Sequence, residues 1–448
     1  MLLAARYVLP VAAPHIEDGA VVVRDGVIEA VGPRAELEAA HPSEDVRDFG
    51  LAALLPGFVD LHTHLEYSAF RGSVDDLPYT AWKMQVLAKE QALTAEDWED
   101  SASLGAIEAL ASGITTIGDI TSSGASARAA ARAGLRGVIY REVQTMEKAR
   151  VPEVMSAASA DIDEWRRLAP GRLVIGIAPH APYSCHPELF QRVAEKAAAE
   201  GLPAAIHLAG SRDEYDFVKY GSSSLAVDFR DETGWTDVGW LPTGVSPVRY
   251  VLQWGLFDLP NLLAVHCVQV DGADIEVLAD HDVAIAYCPR CNAKLGMGTA
   301  PLQSFLRRGL RVGMGTDSPA SNNTVDVFDE MRIGLLIQRG LTGEAAFFTA
   351  EMFIRLSTLD AARALRMDDR VGSLEVGKAA DIVAVDLSSS HSVPTQDPCG
   401  ALVHSANQEN LLMTMVGGDV LYEHGRFATL DADRAIERVE RMQTKLRG

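Results

Sequence analysis

The chain has 448 residues, 48% of them apolar and 23% charged, the proportions of an ordinary globular enzyme. A formal net charge of −22 argues against a nucleic-acid backbone or an anionic membrane as partner. Five cysteines in so long a chain do not make a disulfide framework. No basic segment followed by an apolar run opens the chain, and no run is long enough to span a bilayer, so a cytoplasmic protein is expected.

Residues 1–55 read as short strands and turns, with a hairpin over 19–32 turning at Asp25-Gly26. From residue 56 to 369 apolar strands alternate with helices. Strands are expected at the run before His62 and over 115–120, 137–143, 173–178, 204–208, 262–268, 283–288 and 311–315, with alanine-rich helices such as 126–133 and 187–199 between them. That rhythm predicts a (β/α)8 TIM-type barrel, whose active site lies at the C-terminal ends of its strands. The connection from Asp213 to about Pro247 is long and carries Tyr215, Trp235 and Trp240, so it is expected to form a lid or part of a substrate pocket. Residues 370–448 again read as strands (380–386, 410–416 and 420–422, the last two flanking Gly417-Gly418), followed by a helix over about 431–446. Neither end holds enough strands to bury a core alone. Together they are expected to form one small β-sandwich domain.

The chemistry is concentrated at strand ends. His62 and His64 follow the run 54–61, and residues two apart on a strand face the same way. Three more apolar strands end in a ligand-type side chain: His207, His266 and Asp317. One His-x-His pair arises often by chance, and any single histidine here could merely finish a core strand. Four such strand ends together describe a catalytic metal site, with histidine and carboxylate around an open position.

With these residues placed, the chain resembles the amidohydrolase superfamily, and within it the metal-dependent deaminase and chlorohydrolase branch. The motifs are Pro56-Gly57-Phe58-Val59-Asp60-Leu61-His62-Thr63-His64, Pro179-His180-Ala181-Pro182-Tyr183-Ser184, Ile206-His207-Leu208-Ala209, Val265-His266-Cys267, Gly315-Thr316-Asp317-Ser318 and the closing segment 372–381. The resemblance implies that His62, His64, His207 and Asp317 hold one divalent metal, usually zinc and sometimes iron. It implies that His266 orients or polarises water and substrate, and that Asp317 moves a proton. Glu66, Arg71, His180 and Asn292 are implied substrate contacts, with Lys294 in the same loop as Asn292. No metal-bridging lysine is found, which favours a one-metal subtype. The implied reaction is hydrolytic deamination of an adenine-type nucleoside or related purine, a small-molecule substrate, and homodimers are common among similar enzymes. A metal-binding homologue that has lost catalysis, or a hydrolase of another bond such as a triazine chlorohydrolase, are the alternatives.

One position departs from the pattern. The branch carries His-x-x-Glu on the strand of the third histidine, the glutamate serving as acid/base for the ring nitrogen. Here the fourth place is Gly210. Either Glu214 or another carboxylate substitutes, or the enzyme is impaired. His64-Leu65-Glu66 with Cys288-x-x-Cys291 superficially matches the zinc deaminases of nucleic-acid bases. The two parts lie far apart in the chain and Tyr287 stands where that motif has proline, so the cysteines are read as a barrel thiol pair without metal.

Overall fold

The computed structural model describes residues 1–235 and 238–446. Strands β1 (Leu2–Val8), β2 (Ile16–Arg24), β3 (Val27–Pro33), β4 (Val46–Asp48) and β5 (Ala52–Pro56) come first. Then follow β6 (Phe58–Thr63), β7 (Ile114–Thr121), β8 (Arg136–Val143), β9 (Leu173–Pro179), β10 (Ala204–Leu208), β11 (Leu262–His266), β12 (Ala284–Tyr287) and β13 (Val312–Met314). The chain ends with β14 (Ile382–Asp386), β15 (Leu411–Val416), β16 (Asp419–Glu423), β17 (Arg426–Phe427) and a helix over Ala432–Leu446.

Strands β6 to β13 form one eight-stranded parallel sheet in sequence order. Its two edges meet where Thr63 bridges Asp317 and the Asp317 amide donates to the His62 carbonyl at 2.8 Å. The strands are near-continuous apolar runs because both faces are covered. Val138, Tyr140, Ala178, Ala205, Leu263, Val265, Ala284 and Ala286 fill the barrel interior. Their neighbours Ile139, Ile177, Ile206, Ala264 and Ile285 face the helical layer. This is the period-two alternation of a strand.

The two chain ends share a second, nine-stranded mixed sheet, in which β5 pairs with β1 on one side and β14 on the other. Alternation sorts this sheet too. Leu3, Val21, Leu54, Ile382 and Met415 meet in one core, and Tyr7, Ala53, Leu55, Val383 and Val385 join the core shared with the barrel. Arg136 on β8 and Asp381 form a buried two-point ion pair across that junction, at 2.7 and 3.1 Å. The chain passes from sheet to barrel through Gly57 alone, where a Cβ would fall 2.2 Å from the Thr115 hydroxyl oxygen, so only glycine fits. Among the described residues, no helix is long and apolar enough to cross a membrane.

The connection after β10 packs beside the barrel mouth, where Asp213 accepts from Thr80 of the helix Tyr79–Glu90 and Phe229 meets Tyr183 with centroids 5.4 Å apart. It folds as a helix over Arg212–Tyr220, capped by Ser211, and short helical turns over 225–232. Its aromatics pair within the connection: Trp240 against Phe217, with centroids 4.5 Å apart, and Trp235 against Phe229 at 6.0 Å. The helix Tyr79–Glu90 covers the barrel mouth next to it.

Candidate active site

His62, His64, His207, His266 and Asp317 converge at the C-terminal mouth of the barrel. His62 is fully buried and both its ring nitrogens lack a hydrogen-bond partner. Its Nε2 stands 3.4 Å from Asp317 Oδ1, and His64 Nε2 stands 3.8 Å from the same oxygen. His64 Nδ1 donates to the Ile120 carbonyl at 2.7 Å and His207 Nδ1 to the His180 carbonyl at 3.0 Å, since a carbonyl can only accept. These bonds turn both Nε2 atoms, 3.4 Å apart, inward with their lone pairs free. Two facing lone pairs repel unless a cation lies between them. Burial, reinforced by the other imidazoles, pushes His64 down to about 3 and His207 well below the ordinary histidine range, so both are neutral imidazoles. Burial pushes Asp317 upward, but His62, His266 and His64 outweigh it and hold the carboxyl well below its usual range. The orphaned nitrogens of His62 and this mixed imidazole–carboxylate set fit one divalent cation.

Backbone geometry makes the convergence possible. By alternation His266 would point outward, in line with Leu262 and Ala264. Its φ of 74° swings the ring back into the mouth, and Ala209 (51°) and Asp317 (59°) share this left-handed conformation. Such strain in residues other than glycine concentrates at functional sites. His266 Nδ1 is 3.0 Å from Asn292 Oδ1 and donates to it, which leaves Nε2 for the cavity. Below them Asp60 accepts from the Thr316 amide (2.9 Å), the Thr316 hydroxyl (2.6 Å) and the His62 amide (3.2 Å), which fixes the first strand to the last.

The ligand cluster opens into a cavity of about 50 Å³, lined also by Tyr67, Glu142, His180 and Ser318 and roofed by Tyr79, Trp82, Lys83 and Val86. The roof residues sit at i, i+3, i+4 and i+7, one face of the helix Tyr79–Glu90. Tyr79 and Tyr183 share a hydroxyl–hydroxyl bond at 2.5 Å, and Trp82 Nε1 donates to the Ala320 carbonyl at 3.1 Å. Small-molecule sites span about 300–1,000 Å³, so the cavity as it stands has only a fraction of that volume.

A sequence model of the amidohydrolase family matches residues 53–421. The chain belongs to the amidohydrolase family. A second model, an imidazolonepropionase-like composite domain of bacteria, matches residues 19–43. The amidohydrolase is similar to a 5-methylthioadenosine/S-adenosylhomocysteine deaminase of Moorella thermoacetica, at 33% identity over 98% of this chain and 97% of that one. A protein of the same name from Symbiobacterium thermophilum is 34% identical over 91% of this chain and 89% of its own. Among solved structures, a zinc-bound adenosine deaminase of Xanthomonas campestris superposes with a TM-score of 0.87 at 28% identity, covering 100% of this chain and 98% of that one. A zinc complex of atrazine chlorohydrolase from Arthrobacter aurescens shares the fold, with a TM-score of 0.84 at 23% identity and 99% coverage of both chains.

The remaining residues singled out in the sequence are distributed unevenly in this amidohydrolase. His180 lines the cavity, its Nδ1 2.6 Å from Ser184 Oγ. Asn292 supports His266 rather than lining the cavity. Glu66 is buried beside the site but faces the end of β7, accepting from Thr121 (2.5 Å), the Ser122 amide (3.1 Å) and Ser123 (2.5 Å). It is held there by those three donors and does not line the cavity. Arg71 lies at the surface, paired with Glu108, and Lys294 is bound to Asp75 at 2.6 Å. Glu214 turns back onto its own loop and accepts from the amides of Ala209 (2.8 Å) and Gly210 (2.9 Å). A Cβ at Gly210 would lie 3.2 Å from His266 Cδ2, so a side chain there would face the reactive imidazole. Cys291 and Cys288 are buried, and Cys291 Sγ lies within 4.8 Å of ligand atoms of both His266 and Asp317. Sequence reasoning passed over Tyr79, Trp82, Lys83 and Glu142. The first three carried a readable signal, their helical spacing. Glu142 carried a fainter one, a carboxylate in phase with the inward residues Val138 and Tyr140.

Proposed function

We propose that this amidohydrolase removes the exocyclic amine of an adenine-type nucleoside by hydrolysis, releasing ammonia and leaving a 6-oxo purine. One metal, zinc, is assigned to His62, His64, His207 and Asp317. The observation that carries this reading is the meeting of the His62, His64 and His207 imidazoles, with the Asp317 carboxylate beside the first two, in a chain whose relatives are named as deaminases. When bound, such an ion supplies Lewis acidity that makes hydroxide available near neutral pH. Asp317 accepts the proton of the attacking water. His266, kept neutral by burial at about 4 and oriented by giving its Nδ1 proton to Asn292, presents the Nε2 lone pair to the cavity, where it accepts from the attacking water and orients it. Tyr67, Tyr79 and Trp82 give a planar ring apolar faces to stack on. The helix Tyr79–Glu90 opens for entry and closes to exclude water.

Gly210 leaves the flank beside His266 without a carboxylate, and Glu214 is held by backbone amides. We infer slow turnover, because one positioned acid/base contributes roughly 10²–10⁴-fold. The decisive experiment is ammonia release from 5′-methylthioadenosine, S-adenosylhomocysteine, adenosine and guanine by zinc-loaded protein, alongside chloride release from a chlorotriazine. Ammonia from the adenine nucleosides is the expected result. Chloride release without ammonia, or no product from the whole panel, overturns it.

A further inference from the structure

Three carboxylates, Glu66 buried and Glu90 and Glu142 half-buried, lie around the cavity, and their partners separate them. Glu66 has the three donors described above, and Glu90 accepts from Tyr67 Oη at 3.0 Å. Glu142 differs: it is half-buried, and its Oε1 is buried without a hydrogen-bond partner. Alternation explains how it comes to be there. Arg141 and Val143 face outward, Arg141 to Asp161 at 2.7 Å and Val143 into the helical layer. Glu142 therefore points inward, one step above Tyr140, at the rim where the cavity begins. Its carboxylate lies within 4.8 Å of ring nitrogens of His180 and His207. Lys83 lines the same cavity from the roof and forms no ion pair among the described residues. A buried acceptor with no donor costs stability, and native proteins leave few of them. Where one faces a ligand cavity, the missing donor belongs to the ligand.

We propose that Glu142 is a substrate-binding residue, its carboxylate accepting hydrogen bonds from N–H or O–H groups of a nucleoside held between it and Lys83. This rests on the nucleoside reading above and adds a contact to it. Glu142 does not restore the carboxylate absent at position 210, because it lies on the opposite side of His207, toward His180. Its work is to hold and orient the substrate.

The test uses full-length zinc-loaded protein: wild type, Glu142→Gln and Lys83→Met. Turnover of 5′-methylthioadenosine is followed together with calorimetric binding of its deaminated product, metal content and thermal unfolding. Glu142→Gln is expected to raise KM and the product Kd roughly 10- to 100-fold, the worth of a hydrogen bond to a charged group. Metal content stays unchanged. Tm stays level or rises by about 1–3 °C, because a partnerless buried carboxylate has been neutralised. Lys83→Met raises the same constants by a smaller factor. A Glu142→Gln protein that binds product within about twofold of wild type overturns the proposal. So does one whose Tm falls by several degrees with KM unchanged, since Glu142 would then belong to the framework. Wild type that neither binds nor deaminates any adenine nucleoside defeats the nucleoside reading itself, and the assignment of Glu142 falls with it.

Discussion

The two flanks of His207 are built in opposite ways. On the His266 side, Gly210 puts no side chain where one would face the reactive imidazole, and the nearest carboxylate in sequence, Glu214, is bound to backbone amides. On the His180 side, Glu142 brings to the cavity a half-buried carboxylate whose buried Oε1 has no hydrogen-bond donor. The first flank is complete without a ligand and the second is not. In this amidohydrolase, then, the parts that would hold the metal and the parts that would hold the substrate have separable structural supports.

The largest expected effect comes from removing the shared centre. His62→Ala with His64→Ala should abolish metal binding and bring activity to background, and elemental analysis showing full metal occupancy in that double variant would refute the ligand assignment. Next is the empty flank. Gly210→Glu should raise kcat by roughly 10²–10⁴-fold with metal content unchanged. A wild type that already turns over briskly, with no gain on that substitution, would mean the proton is delivered elsewhere. A smaller loss is expected from Asn292→Leu, which removes the acceptor that orients His266. Outer partners of this kind are worth roughly 10–100-fold, and the loss should appear in kcat more than in KM.

The smallest catalytic effect is expected at Glu214, where the change should be in stability. Burial pushes its carboxyl up to about 7 from an ordinary 4.5, against the backbone amides that favour the ionised form. Because the folded value lies above the unfolded one, the folded chain keeps a proton that the unfolded chain releases. This contribution is fully present below pH 4.5 and is lost as pH rises through about 7. Denaturant titrations should therefore show wild type losing on the order of 3 kcal/mol relative to Glu214→Gln between pH 4.5 and 7. A pH-independent difference, or a large fall in kcat for Glu214→Gln, would place Glu214 in the chemistry after all.

The barrel was legible because its strands are buried on both faces. Segments such as 115–120 and 204–208 read as strands at the expected spacing, and the shared sheet of the two ends followed from the shortage of strands at each. The strand-end residues His62, His64, His207, His266 and Asp317 were visible for the same reason, since a polar residue closing an apolar run stands out. What escaped depends on tertiary neighbours. Glu66 looks available in sequence, yet Thr121, Ser122 and Ser123 arrive from another strand and occupy it. His266 points inward only through a backbone torsion that alternation does not foresee. The long connection drew attention by its aromatics, but those rings satisfy one another, and the roof came from a shorter helix whose four inward residues have only spacing to declare them.

The pairing of β5 with β14 has a consequence for biosynthesis. Residues 52–56 acquire their antiparallel partner only when residues 382–386 have been made. At about 5–20 residues per second that interval lasts roughly 15–65 s. Throughout it the nascent chain carries an unpaired, wholly apolar strand edge, the kind of surface that recruits other chains. The ribosome-bound intermediate, rather than the finished enzyme, is where this fold is most exposed to aggregation, and where a holdase chaperone would have most to protect.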